Sequence, residues 1–124
     1  MTEGDITMFA MLSGDWYPLH VDREYAAKSW VGERIAHGLL TLSIMSGSLP
    51  MAPGDLEAFV GMDRCRFRRP VCIGDTVRSS FKIIHASQRE GARNGRLKVA
   101  GELRNQRDEV VVEVTLLFDQ AVEP

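Results

Sequence analysis

Between Ala36 and Leu49 the chain reads Ala-His-Gly-Leu-Leu-Thr-Leu-Ser-Ile-Met-Ser-Gly-Ser-Leu, with apolar or small side chains on nearly every face of the helix this run would form. A helix without a polar side predicts a helix buried all round. In a chain of 124 residues such a helix must be wrapped by something else, and the remaining sequence offers strands. Residues 59–69, 76–87, 96–104 and 110–118 carry β-formers or period-two alternation, separated by Pro70, Gly74, Gly91, Gly95 and Asn105. The order, helix first and then consecutive antiparallel strands, predicts an α+β fold with an antiparallel sheet curled around one central helix.

The segment before the buried helix is built from short helical pieces. Thr2-Glu3-Gly4-Asp5 reads as a capping box, and Ile6, Phe9 and Leu12 follow as an apolar stripe, so a helix should run to about Leu12. Ser13 and Gly14 end it, because glycine readily takes the left-handed conformation that closes a helix. Asp22 is placed to cap a brief helix over residues 23–28. Residues 50–56, with Pro53 and Gly54, form the one stretch expected to be a mobile loop.

Length and 44% hydrophobic content predict one compact domain over residues 1–124. Fifteen basic against seventeen acidic residues leave a formal charge of −2, which gives no general reason to expect nucleic acid or an anionic membrane as partner. No apolar run approaches the roughly 20 residues of a membrane span, and the N-terminus does not read as a signal peptide, so a soluble, cytoplasmic protein is expected. Cys65 and Cys72 lack the spacing of a redox or zinc pair and are expected as reduced packing residues. No metalloprotease, serine-hydrolase or phosphate-loop motif occurs, and no His cluster for a metal, so neither cofactor nor metal is expected.

The chemistry concentrates in Ser13-Gly14-Asp15-Trp16-Tyr17-Pro18-Leu19-His20-Val21-Asp22. Pro18 fixes its own φ and pushes Tyr17 towards an extended conformation, so the segment is expected to form a defined loop rather than a continued helix. That loop can turn Asp15 and His20 inward together. A carboxylate and an imidazole reaching one small volume are the equipment of general acid–base catalysis. Residues alone also allow an Asp capping a turn beside a partly exposed His.

Two further segments set the context: Arg34-Ile35-Ala36-His37-Gly38-Leu39-Leu40, and Phe67-Arg68-Arg69-Pro70-Val71-Cys72-Ile73-Gly74-Asp75-Thr76. Together with the loop they resemble the MaoC-like dehydratases, which include the (R)-specific enoyl-CoA hydratases. The matching motifs are Ser-Gly-Asp-x-Asn-Pro-x-His-x-Asp, Ala-His-Gly at a helix start, and Phe-x-x-Pro-Val-x-x-Gly-Asp-Thr at a strand entry. The resemblance runs from Thr2 to Phe118. Tyr17 stands where the family has Asn, and the chain starts about fifteen residues later than the family's habit, without its usual first strand.

The resemblance implies a hotdog fold, an acyl-CoA substrate and a homodimer or higher homo-oligomer. It places the acid–base pair on Asp15 and His20, and the donor to the thioester oxygen on the Gly38 N–H at the helix start. Gly38 reads equally as a helix–sheet packing residue. His37 reads as a pocket residue that fixes the helix start, Ser46 as one lining the site, and Tyr17 as one reshaping the pocket. Arg64, Arg66 and Arg68 alternate on a strand with Arg69 beside them, and could either clamp the phosphates of coenzyme A or form a solvated face. The activity implied is hydration of an enoyl-CoA to a 3-hydroxyacyl-CoA or the reverse. A non-catalytic acyl-CoA-binding or supporting subunit, and more distantly a thioesterase, are the rival readings.

Overall fold

Thr2 opens the first helix with a reciprocal cap: its hydroxyl accepts the Asp5 N–H (3.1 Å) while the Asp5 carboxylate accepts the Thr2 N–H (2.8 Å). In the computed structural model, which describes residues 1–88, 91 and 94–121, this helix, α1, spans Glu3–Ser13. Gly14 closes it at φ 76°, its N–H bonded to the Ala10 carbonyl. The buried positions are Ile6 and Ala10, with Phe9 half-buried, whereas Leu12 is 84% exposed. The expected stripe therefore ends one turn early. Pro18, preorganised for a first helical position, then starts a single turn, α2 (Pro18–Val21), where a loop was expected. The Asp22 carboxylate accepts the N–H groups of Glu24 and Tyr25 and caps α3 (Arg23–Ala27).

Helix α4 (Gly38–Gly47) lies against a sheet of four strands: β1 (Ala58–Phe67), β2 (Arg78–Gln88), β3 (Asn94–Arg104) and β4 (Val110–Ala121). The strand order is β1-β4-β3-β2 and every pairing is antiparallel. The last three strands form a meander, while β1 pairs with β4, so the segment after β1 must cross to the far edge. Strand β3 alternates between buried and half-buried residues along its whole length, and β4 along most of its length, as central strands with one face on the core do. The core joins Leu40, Leu42 and Met45 of α4 to Leu97, Val99 and Leu103 of β3 and Val111, Val112, Val114, Leu116 and Phe118 of β4.

Helix α4 is not buried all round. Leu40, Thr41, Leu42 and Met45 are buried, but Leu39 is 61% exposed and Ser43, Ser46 and Gly47 are exposed on the opposite side. The reason lies in the hydroxyls. Ser43 donates to the Leu39 carbonyl (2.7 Å) and Ser46 to the Ser43 carbonyl (2.9 Å), so residues that read as small and neutral sit on an open face with their polar groups satisfied by the helix.

The start of α4 is tied to the strand-entry segment. Ala36 donates to the Val71 carbonyl (2.7 Å), and Ile35 and Cys72 form an isolated antiparallel bridge. Asp75 holds the turn that follows, accepting the Cys72 N–H (2.9 Å) and the Gln106 side-chain amide (2.8 Å). Burial alone would raise its carboxyl, but these donors and the nearby Arg107 hold it below the ordinary range. No described helix is long and apolar enough to cross a membrane.

Candidate active site

Asp15 follows the glycine that closes α1. Its carboxylate accepts the Tyr17 N–H (3.2 Å), an Asx turn that hands the chain to Pro18, while its own N–H donates to the Ser13 hydroxyl (3.2 Å). His20 sits on α2 with Nδ1 2.8 Å from the Ile35 carbonyl oxygen. A carbonyl only accepts, so Nδ1 carries the proton and, in the neutral ring, Nε2 is left as a free acceptor. The Asp15 carboxylate, an imidazole nitrogen of His20 and one of His37 all lie within 4.8 Å of one another. The sequence brought the first two together; the third joins from seventeen residues further on.

His37 is the N-cap residue of α4 and is 2% exposed. Its Nε2 donates to the main-chain carbonyl of Asp15 (2.9 Å), and its ring stacks on His20 at a centroid distance of 3.9 Å and an interplanar angle of 27°. Rings so nearly parallel direct their in-plane lone pairs side by side rather than at a common point, and His37 Nε2 is already engaged. The three groups are therefore poorly aimed to grip one cation together.

Beside this pair lies a cleft of about 220 Å³, lined by His20, Trp30, Gly38, Thr41, Phe67, Arg68 and Arg69 among others. Gly38 is the first residue of α4, so its N–H belongs to the set no intrahelical carbonyl takes. A side chain here would crowd the cleft: a Cβ on Gly38 would stand 3.0 Å from the Phe67 ring. The glycine admits the Phe67 ring against the helix and leaves the N–H at the helix start uncovered by a side chain. Trp30, 82% exposed on the rim, was not singled out from sequence; an indole in the short Ser29-Trp30-Val31-Gly32 bend was the available signal.

Other expected residues fall elsewhere. Tyr17 is 54% exposed, its hydroxyl 3.2 Å from that of Tyr25 and its ring edge-on to His20 at 6.2 Å; like Asp15 and His37, which reach the cleft only through their neighbour His20, it does not line the cleft itself. Ser46 lies eight residues beyond Gly38, about 12 Å along the helix, with its hydroxyl turned back to Ser43. The arginine row is broken. The register of β1 shifts between Asp63 and Arg66, and Arg64 takes φ 51°, so the three side chains do not share the regular alternation that would put them on one face. Arg66 bonds the neighbouring Cys65 carbonyl, Arg68 pairs with Glu113, and Arg69 lies 3.7 Å from Glu109. Only Arg68 and Arg69 line the cleft.

Both cysteines are free thiols. Burial, with Glu33 adding to it, pushes Cys72 up to about 11, and burial raises Cys65 as well. Neither is set up as a thiolate nucleophile.

The family model described as "MaoC like domain" matches residues 1–111. An (R)-specific enoyl-CoA hydratase of Rhodospirillum rubrum is 38% identical over 84 residues, covering 67% of this chain and 58% of that protein. The chain spans little more than half the length of several such relatives. Among solved structures, a monoamine oxidase regulatory protein from Archaeoglobus fulgidus superposes with a TM-score of 0.94 at 35% identity, covering 100% of this chain and 84% of that one. A Mycobacterium tuberculosis protein with a double hotdog fold is 18% identical, with a TM-score of 0.81 over 100% of this chain and 39% of its own, and so bears on the fold alone. With the motif-bearing segments assembled at one cleft and the family's domain matched along most of its length, this chain has the hotdog fold and belongs to the MaoC-like domain family.

Proposed function

We propose that the chain hydrates an enoyl thioester to the 3-hydroxyacyl thioester, or runs the reverse dehydration, with Asp15 and His20 as the acid–base pair. The observation that carries this reading is the fixed tautomer of His20. Its Nδ1–H is spent on the Ile35 carbonyl, which leaves Nε2 as the acceptor of a ring that lines the cleft with Gly38 and has a nitrogen within 4.8 Å of the Asp15 carboxylate. In hydration, water sits between the two groups; His20 Nε2 takes a proton from it as the oxygen adds to the β-carbon, and Asp15 orients the water. The proton taken from the water then passes by way of Asp15 to the α-carbon, so that both groups end the cycle as they began. Charge that builds on the thioester oxygen is met by the Gly38 N–H at the positive end of α4. This needs no metal or cofactor, and the substrate is carried as a coenzyme A or carrier-protein thioester. Arg68 and Arg69, which line the cleft, would meet its polar arm.

A second reading follows from the open side of α4. The exposed Leu39, Ser43 and Ser46 stripe and the open cleft call for cover by another chain. A second copy would complete a homo-oligomeric enzyme, whereas a longer family member would make this chain a supporting subunit. The test is an assay of the purified chain on a series of enoyl-CoA esters of increasing length, alone and with a longer homologue added. Hydration by the chain alone supports the enzyme. No turnover alone, with turnover restored only to the mixture, would establish the supporting role instead.

A further inference from the structure

One buried nitrogen at the site has no partner. Among the described residues, His37 Nδ1 is the buried side-chain nitrogen without a hydrogen bond. Buried polar atoms are nearly always paired, so a ring that leaves one bare must bring something an apolar residue of the same size would not. What it brings is at its other edge and on its face. Nε2–H holds the Asp15 carbonyl at 2.9 Å, one face carries His20 at 3.9 Å, and Phe9 packs against the ring at 4.9 Å. Asp15 and His20 stand on short, solvent-facing pieces of chain, an Asx turn and a helix of one turn. His37 links both of them to α4, and it is the residue directly before Gly38.

We infer that His37 is a positioning residue: a neutral imidazole, protonated at Nε2, that fixes the acid–base pair in register with the Gly38 N–H. The inference rests on the acid–base reading of Asp15 and His20. Phenylalanine at this position would keep a stacking plane and lose the tie to Asp15. Glutamine would keep an N–H able to reach the Asp15 carbonyl and lose the plane. Neither touches the reacting atoms, so the loss expected is one of alignment. Misplacing reacting groups by about 1 Å is enough to cost on the order of 100-fold in rate.

The test combines turnover with a readout that does not need it. In His37→Phe and His37→Gln, each confirmed as folded by circular dichroism, kcat on an enoyl-CoA ester should fall about 10- to 100-fold while KM changes little. Long-range proton–nitrogen NMR on the parent should show His37 protonated at Nε2 and His20 at Nδ1, and His20 should become a mixture of tautomers in His37→Gln. Parent-level kcat in both folded variants, or a parent ring of His37 protonated at Nδ1, would overturn the inference. If the parent hydrates no enoyl ester, the functional reading fails by itself and the spectra decide this one: a mixed His20 in His37→Gln supports it, and an unchanged His20 overturns it. Should the variants not fold, the parent spectrum decides alone.

Discussion

His20 and Asp15 were legible because local chemistry places them: a glycine that must close α1, a proline that must open α2, and a five-residue span between the two side chains. The His37 stack was not legible, since nothing in a sequence separation of seventeen residues says that two rings will lie face to face. The arginine row failed for a local reason, the bulge at Arg64, which period-two reasoning has no means of seeing. Arg66 turns its guanidinium to its own neighbour's carbonyl and stays off the cleft. Arg66→Ala should leave KM for a CoA ester unchanged in titrations at low and high salt. Asp75 gives a pH prediction. Its carboxyl is held below the ordinary value of 3.8, so its contribution is present in full above that value and is lost as pH falls through the lower folded value. Asp75→Asn should cost about 1–3 kcal/mol in urea unfolding near neutral pH, and the gap to the parent should narrow in acid.

The elements themselves followed from punctuation and periodicity. Helix α1 carries its cap in its first residues, and the strands fell within a few residues of expectation because Pro70, Gly91 and Asn105 bound them. Thr2→Ala should lower stability by about 1 kcal/mol in chemical denaturation, the usual cost of losing an N-cap. What the pattern could not say is how much of α4 the sheet would cover. Serine and threonine hydroxyls that bond back to the helix are compatible with burial or exposure alike, and here Thr41 is buried while Ser43 and Ser46 face out. The contact between Gly38 and Phe67 is the point where helix and strand set the cleft's width. Gly38→Ala should push the Phe67 ring into the cleft and lower kcat/KM in steady-state assays, and adding Phe67→Leu should recover much of the loss.

As a whole the molecule presents two sheet edges, β1 and β2, both bearing exposed apolar residues: Phe59, Val60 and Met62 on one, Ile83 and Ile84 on the other. Unpaired edges of this kind invite strand pairing, and the open face of α4 adds a second uncovered surface. Light scattering should therefore report at least twice the mass of a single chain, and a dilute, well-folded monomer with full activity would contradict that expectation. The central claim, that Asp15 and His20 share the proton transfers of hydration, is tested most directly by kcat for Asp15→Asn, His20→Ala and the double variant on an enoyl-CoA that the parent hydrates, each with the parent's oligomeric mass. Each single change should lower kcat by about 10²- to 10⁴-fold. Because the two groups would act on one water, the double variant should be hardly worse than the poorer single one. Near-parent turnover in either folded single variant would contradict the account.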